Sequence, residues 1–267
     1  MVITMEYVDI EADGSPISPM SPMSPMIPMR MLVCAPKSGV DAPGILFYSD
    51  IFQLTGPMVR ACQRLAGYGF VVAAPEIYHR LEPPGTVIAF DDEGRTRGLD
   101  NALKTPVKDF DADCRAALDY LSRHPQVAPG KLGVAGFCIG GHLAFRGALQ
   151  PDVRGTVCFY PTGVHNGKLG QDADACTFER FGEIAGEMLI VFGSLDPHIP
   201  EDGRAKIVNG LQQAGTRFDV KLYPAEHAFM RDEGPRYDPE ATDQAFAEMI
   251  AFFRRIFATS AGTVPRA

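Results

Sequence analysis

Tryptophan is absent from the 267 residues, and several patterns that would point to a particular chemistry are missing with it. There is no H-E-x-x-H and no zinc-type spacing of cysteine and histidine, so the sequence asks for no metal. The glycine-rich stretch 133–140 lacks the G-x-G-x-x-G order and does not follow a first strand, which removes the dinucleotide fingerprint. No cofactor is expected. The six cysteines (Cys34, Cys62, Cys114, Cys138, Cys158 and Cys176) form no C-x-x-C pair and no dense framework. Several lie in apolar runs, the pattern of free thiols in a reducing cytoplasm. No apolar run reaches membrane-spanning length, and no basic segment precedes the first apolar stretch, which carries Glu6 and Asp9. Positive charge is also in short supply: 25 Lys and Arg face 33 Asp and Glu, for a net charge of −8. That balance argues against nucleic acid or an anionic membrane as a partner. It leaves room for a small anionic substrate held by one local arginine.

What is present is 46% hydrophobic residues in short runs, separated by glycine, proline and amphipathic stretches. A first strand is expected over 2–10, followed by a tandem Ser-Pro-Met repeat over 15–26. Proline at every third position blocks both helix and ladder hydrogen bonds, so the repeat reads as an expanded hairpin loop. A strand over 29–34 would pair back with the first. Further strands are expected over 44–48, 69–74, 131–135, 155–160, 188–192 and 218–223. Helices are expected over 56–66, 110–123, 139–149, 203–214 and 241–257. The stretch 81–105 is rich in Pro, Gly and Asp and yields no assignment. Alternation at this spacing predicts an α/β fold, a mostly parallel central sheet with helices on both faces. The chain divides into residues 1–28 (strand and repeat), one α/β domain over 29–257 and a frayed tail over 258–267.

The chain centres on Gly136-Phe137-Cys138-Ile139-Gly140-Gly141, between an expected strand and an expected helix. Strand, sharp turn, helix is the setting of the nucleophile elbow, G-x-nucleophile-x-G, with cysteine in place of serine. A Cβ at Gly136 or Gly140 would collide with neighbouring backbone in such a turn. The thiol would stand at the helix N-terminus, whose positive end favours negative charge. A buried structural cysteine is the alternative reading.

Reactive groups of a parallel sheet gather at the carboxyl ends of its strands. Four expected strands lead into such groups: Asp50, Cys138, Asp196 and His227. Nucleophile, acid and histidine follow in the order of the α/β-hydrolases. His227 would act as base, and Asp196 would fix its tautomer and steady the imidazolium. Asp196 could instead cap the next helix or form the turn ahead of Pro197, and His227 could be a surface-loop histidine. The oxyanion donors would be the backbone N–H groups of Ile139 and Ile51. His142 reads as packing, and His79, His124, His165 and His198 have no matching partner at a strand exit. Two rival classes are a cysteine amidase of the glutamine-amidotransferase type and a thiol redox sensor. The first would want an acid two residues after the histidine, where Phe229 stands; the second needs only Cys138.

Three segments, Gly136-Phe-Cys138-Ile-Gly-Gly, Gly193-Ser-Leu-Asp196 and Glu226-His227-Ala-Phe-Met-Arg231, together resemble the dienelactone hydrolase family of the α/β-hydrolase superfamily. The resemblance spans about residues 30–257. It implies a Cys138–Asp196–His227 triad that opens a carboxylate-bearing unsaturated lactone through an acyl-enzyme. It further implies that Arg231 holds the substrate carboxylate. Asp50 stands where better-known members carry a glutamate that contacts the resting cysteine, so it would gate the nucleophile. The family's second arginine has two candidates, Arg95 and Arg97.

Overall fold

In the computed structural model, which describes residues 2–11, 27–38 and 41–258, eight strands form one sheet in the order β1-β2-β4-β3-β5-β6-β7-β8. β1 (Ile3–Ile10) and β2 (Met29–Pro36) pair antiparallel, from Ile3 opposite Pro36 to Ile10 opposite Met29. β2 is also antiparallel to β4 (Val71–Pro75). From β4 onward every pairing is parallel, through β3 (Ala42–Tyr48), β5 (Val127–Phe137), β6 (Val153–Phe159), β7 (Glu187–Gly193) and β8 (Arg217–Tyr223). This is the expected α/β-hydrolase sheet. The Ser-Pro-Met repeat and residues 259–267 lie outside the described residues.

Among the described residues, six α-helices accompany the sheet: α1 (Gly56–Gly67), α2 (Asp92–Lys104), α3 (Val107–Arg123), α4 (Ile139–Gly147), α5 (Glu201–Ala214) and α6 (Pro239–Ala258). Successive strand residues point to opposite faces, and β5 shows what covers each. A Cβ on Gly133 would come within 2.9 Å of Phe253 on α6, whereas Val134 packs under Gly147 of α4. Gly155 of β6 makes the same room for Phe252 and Ile256 of α6. α6 buries Phe246, Phe252, Phe253 and Phe257. At roughly 1.5–3 kcal/mol for each buried large apolar side chain, rings seated over glycine strands account for much of that face. No described helix is long and apolar enough to cross a membrane, and all six cysteines are free.

The stretch without an assignment contains α2. Asp91 caps it, its side chain accepting from the Gly94 N–H at 2.7 Å, and Asp92 and Glu93 complement the positive end of the first turn. The residues α2 buries are Gly94, Gly98, Asn101 and Ala102. A Cβ on Gly98 would fall 2.4 Å from the Ile51 carbonyl oxygen. The helix therefore packs by close backbone approach onto the loop after β3 and needs no apolar stripe. Elsewhere the expected elements are present with shifted ends; β5 starts earlier, at Val127, and α3 at Val107.

Candidate active site

Cys138 joins β5 to α4 with φ 58° and ψ −119°. A non-glycine residue held at positive φ stores on the order of 1–3 kcal/mol of strain, which the surroundings must offset. They do so by hydrogen bonds: the Cys138 N–H donates to Phe159 O at 3.1 Å, and its carbonyl accepts from Gly141 at 3.0 Å and Thr162 at 3.2 Å. The glycine requirement is as expected. A Cβ on Gly136 would lie 1.9 Å from Gly140 O, and one on Gly140 would lie 2.2 Å from Ser49 O. Cys138 is partly exposed, and its Sγ stands 3.8 Å from the Thr162 hydroxyl.

Asp196 and His227 occupy the turns after β7 and β8 and are both buried. The His227 Nδ1 and Asp196 Oδ2 are 2.7 Å apart. The other carboxylate oxygen accepts from the His198 N–H at 2.8 Å. Gly193 is required here, since a Cβ would come within 2.3 Å of Ala225 O. Burial works against the Asp196 charge, but the bonds from His227 and the His198 N–H outweigh it and lower its pKa. Burial also works against a charged His227. The facing Cys138 sulfur and the bond to Asp196 prevail, and its pKa is pushed up to about 9. The alternative in which Asp196 caps a helix is not realised, because Pro200 holds the N-cap position of α5.

The loop after β3 lies on the opposite side of the elbow. The N–H groups of Ile51 and of Ile139, the first residue of α4, have no backbone partner among the described residues. Gln53, at φ 65°, fixes this loop. Its buried side chain accepts from the Tyr78 N–H at 3.1 Å and donates to Thr86 O at 3.0 Å. Asp50 Oδ1 accepts from the Phe52 N–H at 2.9 Å, while Oδ2 takes Nε of Arg231 at 3.1 Å and a second bond from its Nη2. The contact expected between Asp50 and Cys138 is not among the hydrogen bonds of the described residues; the longer-reaching Arg231 has taken that carboxylate. Nor does Asp50 cap α1, whose N-cap is Thr55.

Arg231 is nearly buried against Asp50. Its guanidinium carbon lies 4.7 Å from the Phe52 ring centre and 4.5 Å from that of Phe90, a cation–π seat. The neighbouring acids that might have held it, Asp232 and Glu233, both bind Arg60. A narrow cleft beside the elbow is lined by Asp50, Thr55, Pro57, Met58, Phe137, Tyr160, Met230 and Arg231. Of the two candidates for a second arginine, Arg97 is bidentate on Glu82, and Arg95 is exposed on α2 within electrostatic range of His198.

His142 is packing, as expected. Its ring nitrogens meet Thr162 O at 3.0 Å and the Thr177 hydroxyl at 2.9 Å, and burial pushes its pKa down to about 3. His198 does have a place, contrary to expectation: its ring meets that of His227 edge-on, 4.7 Å between centres. Tyr160, at φ 36°, presents its ring to His227 at 5.1 Å and walls the other side. The sequence signal for Tyr160 was its place at the exit of β6; only its aromatic character hid it among core residues.

The profile of the dienelactone hydrolase family matches residues 29–257. A Saccharomyces cerevisiae protein named "Putative carboxymethylenebutenolidase" is 35% identical, over 85% of this chain and 86% of its own. A carboxymethylenebutenolidase of Pseudomonas sp. strain P51 is 27% identical, over 80% and 85%. Among solved structures, a dienelactone hydrolase-like promiscuous phosphotriesterase from metagenomic libraries superposes with a TM-score of 0.72 at 19% identity, covering 95% of this chain and 98% of its own. A Klebsiella pneumoniae structure titled as a "Putative Dienelactone Hydrolase" does so with a TM-score of 0.80 at 23% identity, covering 96% and 100%. With its elbow, its strand order and these matches in agreement, the chain belongs to the dienelactone hydrolase family.

Proposed function

We propose that this hydrolase opens lactone or ester bonds of small carboxylate-bearing substrates with Cys138 as nucleophile. The observation that carries the reading is the strained Cys138 at the tip of the elbow, facing a buried His227 already bonded to Asp196. His227 holds the thiol proton, and Sγ attacks the carbonyl carbon. The resulting oxyanion is received by the Ile51 and Ile139 N–H groups. Collapse breaks the C–O bond, His227 gives its proton to the departing oxygen, and a thioester remains on Cys138. His227 then takes a proton from water, which attacks the thioester and releases the acid and the free thiol. Asp196 keeps the imidazole oriented throughout.

Arg231 serves the substrate carboxylate by exchange. In the resting protein Asp50 occupies it; an incoming carboxylate takes that place and sets Asp50 free. A freed carboxylate near Cys138 changes the field at the sulfur, so Asp50 couples substrate arrival to the nucleophile. Free thiols throughout the chain fit a reducing, cytoplasmic setting. The test is a panel of carboxylated lactones, their methyl esters and p-nitrophenyl esters, run on the wild type and on Cys138→Ala. Turnover by the wild type that disappears in the variant supports the reading; equal turnover in both contradicts it.

A further inference from the structure

β8 is the last strand of the sheet, and among the described residues its backbone ladder is with β7 alone, in unbroken register from Arg217 opposite Glu187 to Tyr223 opposite Gly193. The Ser194 N–H donates to the Tyr223 carbonyl at 2.7 Å, so the odd-numbered residues of β8 turn their backbone groups toward β7. The N–H and C=O groups of Phe218, Val220 and Leu222 therefore point outward. An open edge of this kind is a template for another strand, and proteins commonly blunt it with proline, a bulge or a projecting lysine. β8 has no proline and no register shift, and its lysine, Lys221, is drawn onto α6 by Glu248 at 2.9 Å. On the face away from α6, Val220 is 37% and Leu222 57% exposed. Large apolar side chains along an open edge mark a surface that another chain can cover.

We propose that the occupant is a second copy of this chain, its β8 laid antiparallel against this one about a two-fold axis at Val220. Charge along the strand selects both the occupant and the register. Asp219 lies on the α6 face, 3.6 Å from Arg255, and Lys221 shares that face. With Val220 opposite its own copy, Asp219 of each strand faces Lys221 of the other, twice in the dimer. Phe218 then lies opposite Leu222, so the outward backbone groups of all three residues meet as hydrogen-bonded pairs. Moving the axis by one residue would set Asp219 against Asp219, or Lys221 against Lys221. Val220 is also the middle of the seven residues of β8, so this register alone pairs the full strand. The opposite edge offers no such match, because the charges on β1 are all carboxylates, Glu6 and Asp9. Across the axis the two sheets continue as one.

Sedimentation equilibrium of the full chain, across roughly a hundredfold range of micromolar concentrations, tests the pairing. The wild type should approach twice the 29.0 kDa of one chain. Asp219→Lys sets lysine against Lys221, and Lys221→Glu sets glutamate against Asp219. Each should raise the dissociation constant at least about tenfold, because the symmetry applies the repulsion twice. Mixed in equal amounts, the two variants should recover the dimer, since each then meets opposite charge at both positions. Met5→Lys on β1 should leave the constant unchanged. Separately, Val220→Cys should close a disulfide with its own copy under mild oxidation, located by peptide mapping, since directly opposed strand residues stand about 5.5 Å apart between Cα atoms. A wild type that stays at the mass of one chain would overturn the proposal. So would a dimer that both charge variants keep, one that their mixture fails to restore, one lost only with Met5→Lys, or one that Val220→Cys forms without that cross-link.

Discussion

The candidate site has two sides that differ in how they are built. On one side of Cys138, the exits of β7 and β8 carry Asp196 and His227, each on a turn that directly follows its strand. On the other, the exit of β3 carries Asp50 and Ile51, held by contacts between distant segments. Asp50 meets Arg231 across 181 residues of sequence. Gln53 reaches Tyr78, and the Ile51 loop is pressed by Gly98 of α2. Backbone geometry fixes the first side, and side-chain pairs assemble the second. The first should therefore tolerate almost no change in its chemistry, while the second can be retuned with the fold intact.

The largest effect expected is on the first side. Cys138→Ala should lose activity by about a thousandfold or more, and His227→Ala nearly as much, with the double variant no worse than the worse single one, because the residues act as a unit. Additive losses in steady-state kinetics would break that unit apart. Second, Gly136→Ala sets a Cβ 1.9 Å from Gly140 O and should fail to give a folded elbow, whereas Gly182→Ala, with nothing within 4 Å, should fold normally. Soluble yield and thermal midpoint decide between them.

On the second side the effects should be selective. Arg231→Ala should cost roughly ten- to a hundredfold in kcat/KM on a carboxylated lactone, the worth of a charge-assisted pair, and much less on its methyl ester. Asp50→Asn removes the resting occupant of Arg231 and should lower KM for the carboxylated substrate alone. Equal changes on both substrates would show that Arg231 and Asp50 do not read the carboxylate.

The smallest effect expected concerns pH. His227 is raised from 6.5 to about 9 in the folded chain, so its protonated form stabilises the fold in full below pH 6.5. That contribution is lost as pH rises through about 9. The thermal midpoint of the wild type relative to His227→Gln should therefore decline between these limits. A flat difference would mean that the charged imidazole has no such support.

Most of the fold was legible because buried parallel strands are short apolar runs and their spacing leaves few topologies. Cys138, Asp196 and His227 were legible for a related reason: each lies within a few residues of a strand end, and their order is that of the α/β-hydrolases. α2 was not legible, since a helix that packs through Gly94 and Gly98 shows no hydrophobic period. The partner of Asp50 was not legible either. A carboxylate at a strand exit can serve a thiol, a helix cap or an arginine, and only the fold brings Arg231, on its Phe52 and Phe90 seat, within reach. His198 carries no sequence signal because its contact with His227 crosses from one turn to the next.

In the proposed mechanism Cys138 becomes covalently acylated during turnover. Intact-mass spectrometry of protein quenched during hydrolysis of a p-nitrophenyl ester, followed by peptide mapping, tests it directly. A mass increase equal to the acyl group is expected, located on Cys138, present in the wild type and absent in Cys138→Ala. Steady turnover with no adduct on Cys138, persisting at full rate in Cys138→Ala, would contradict it.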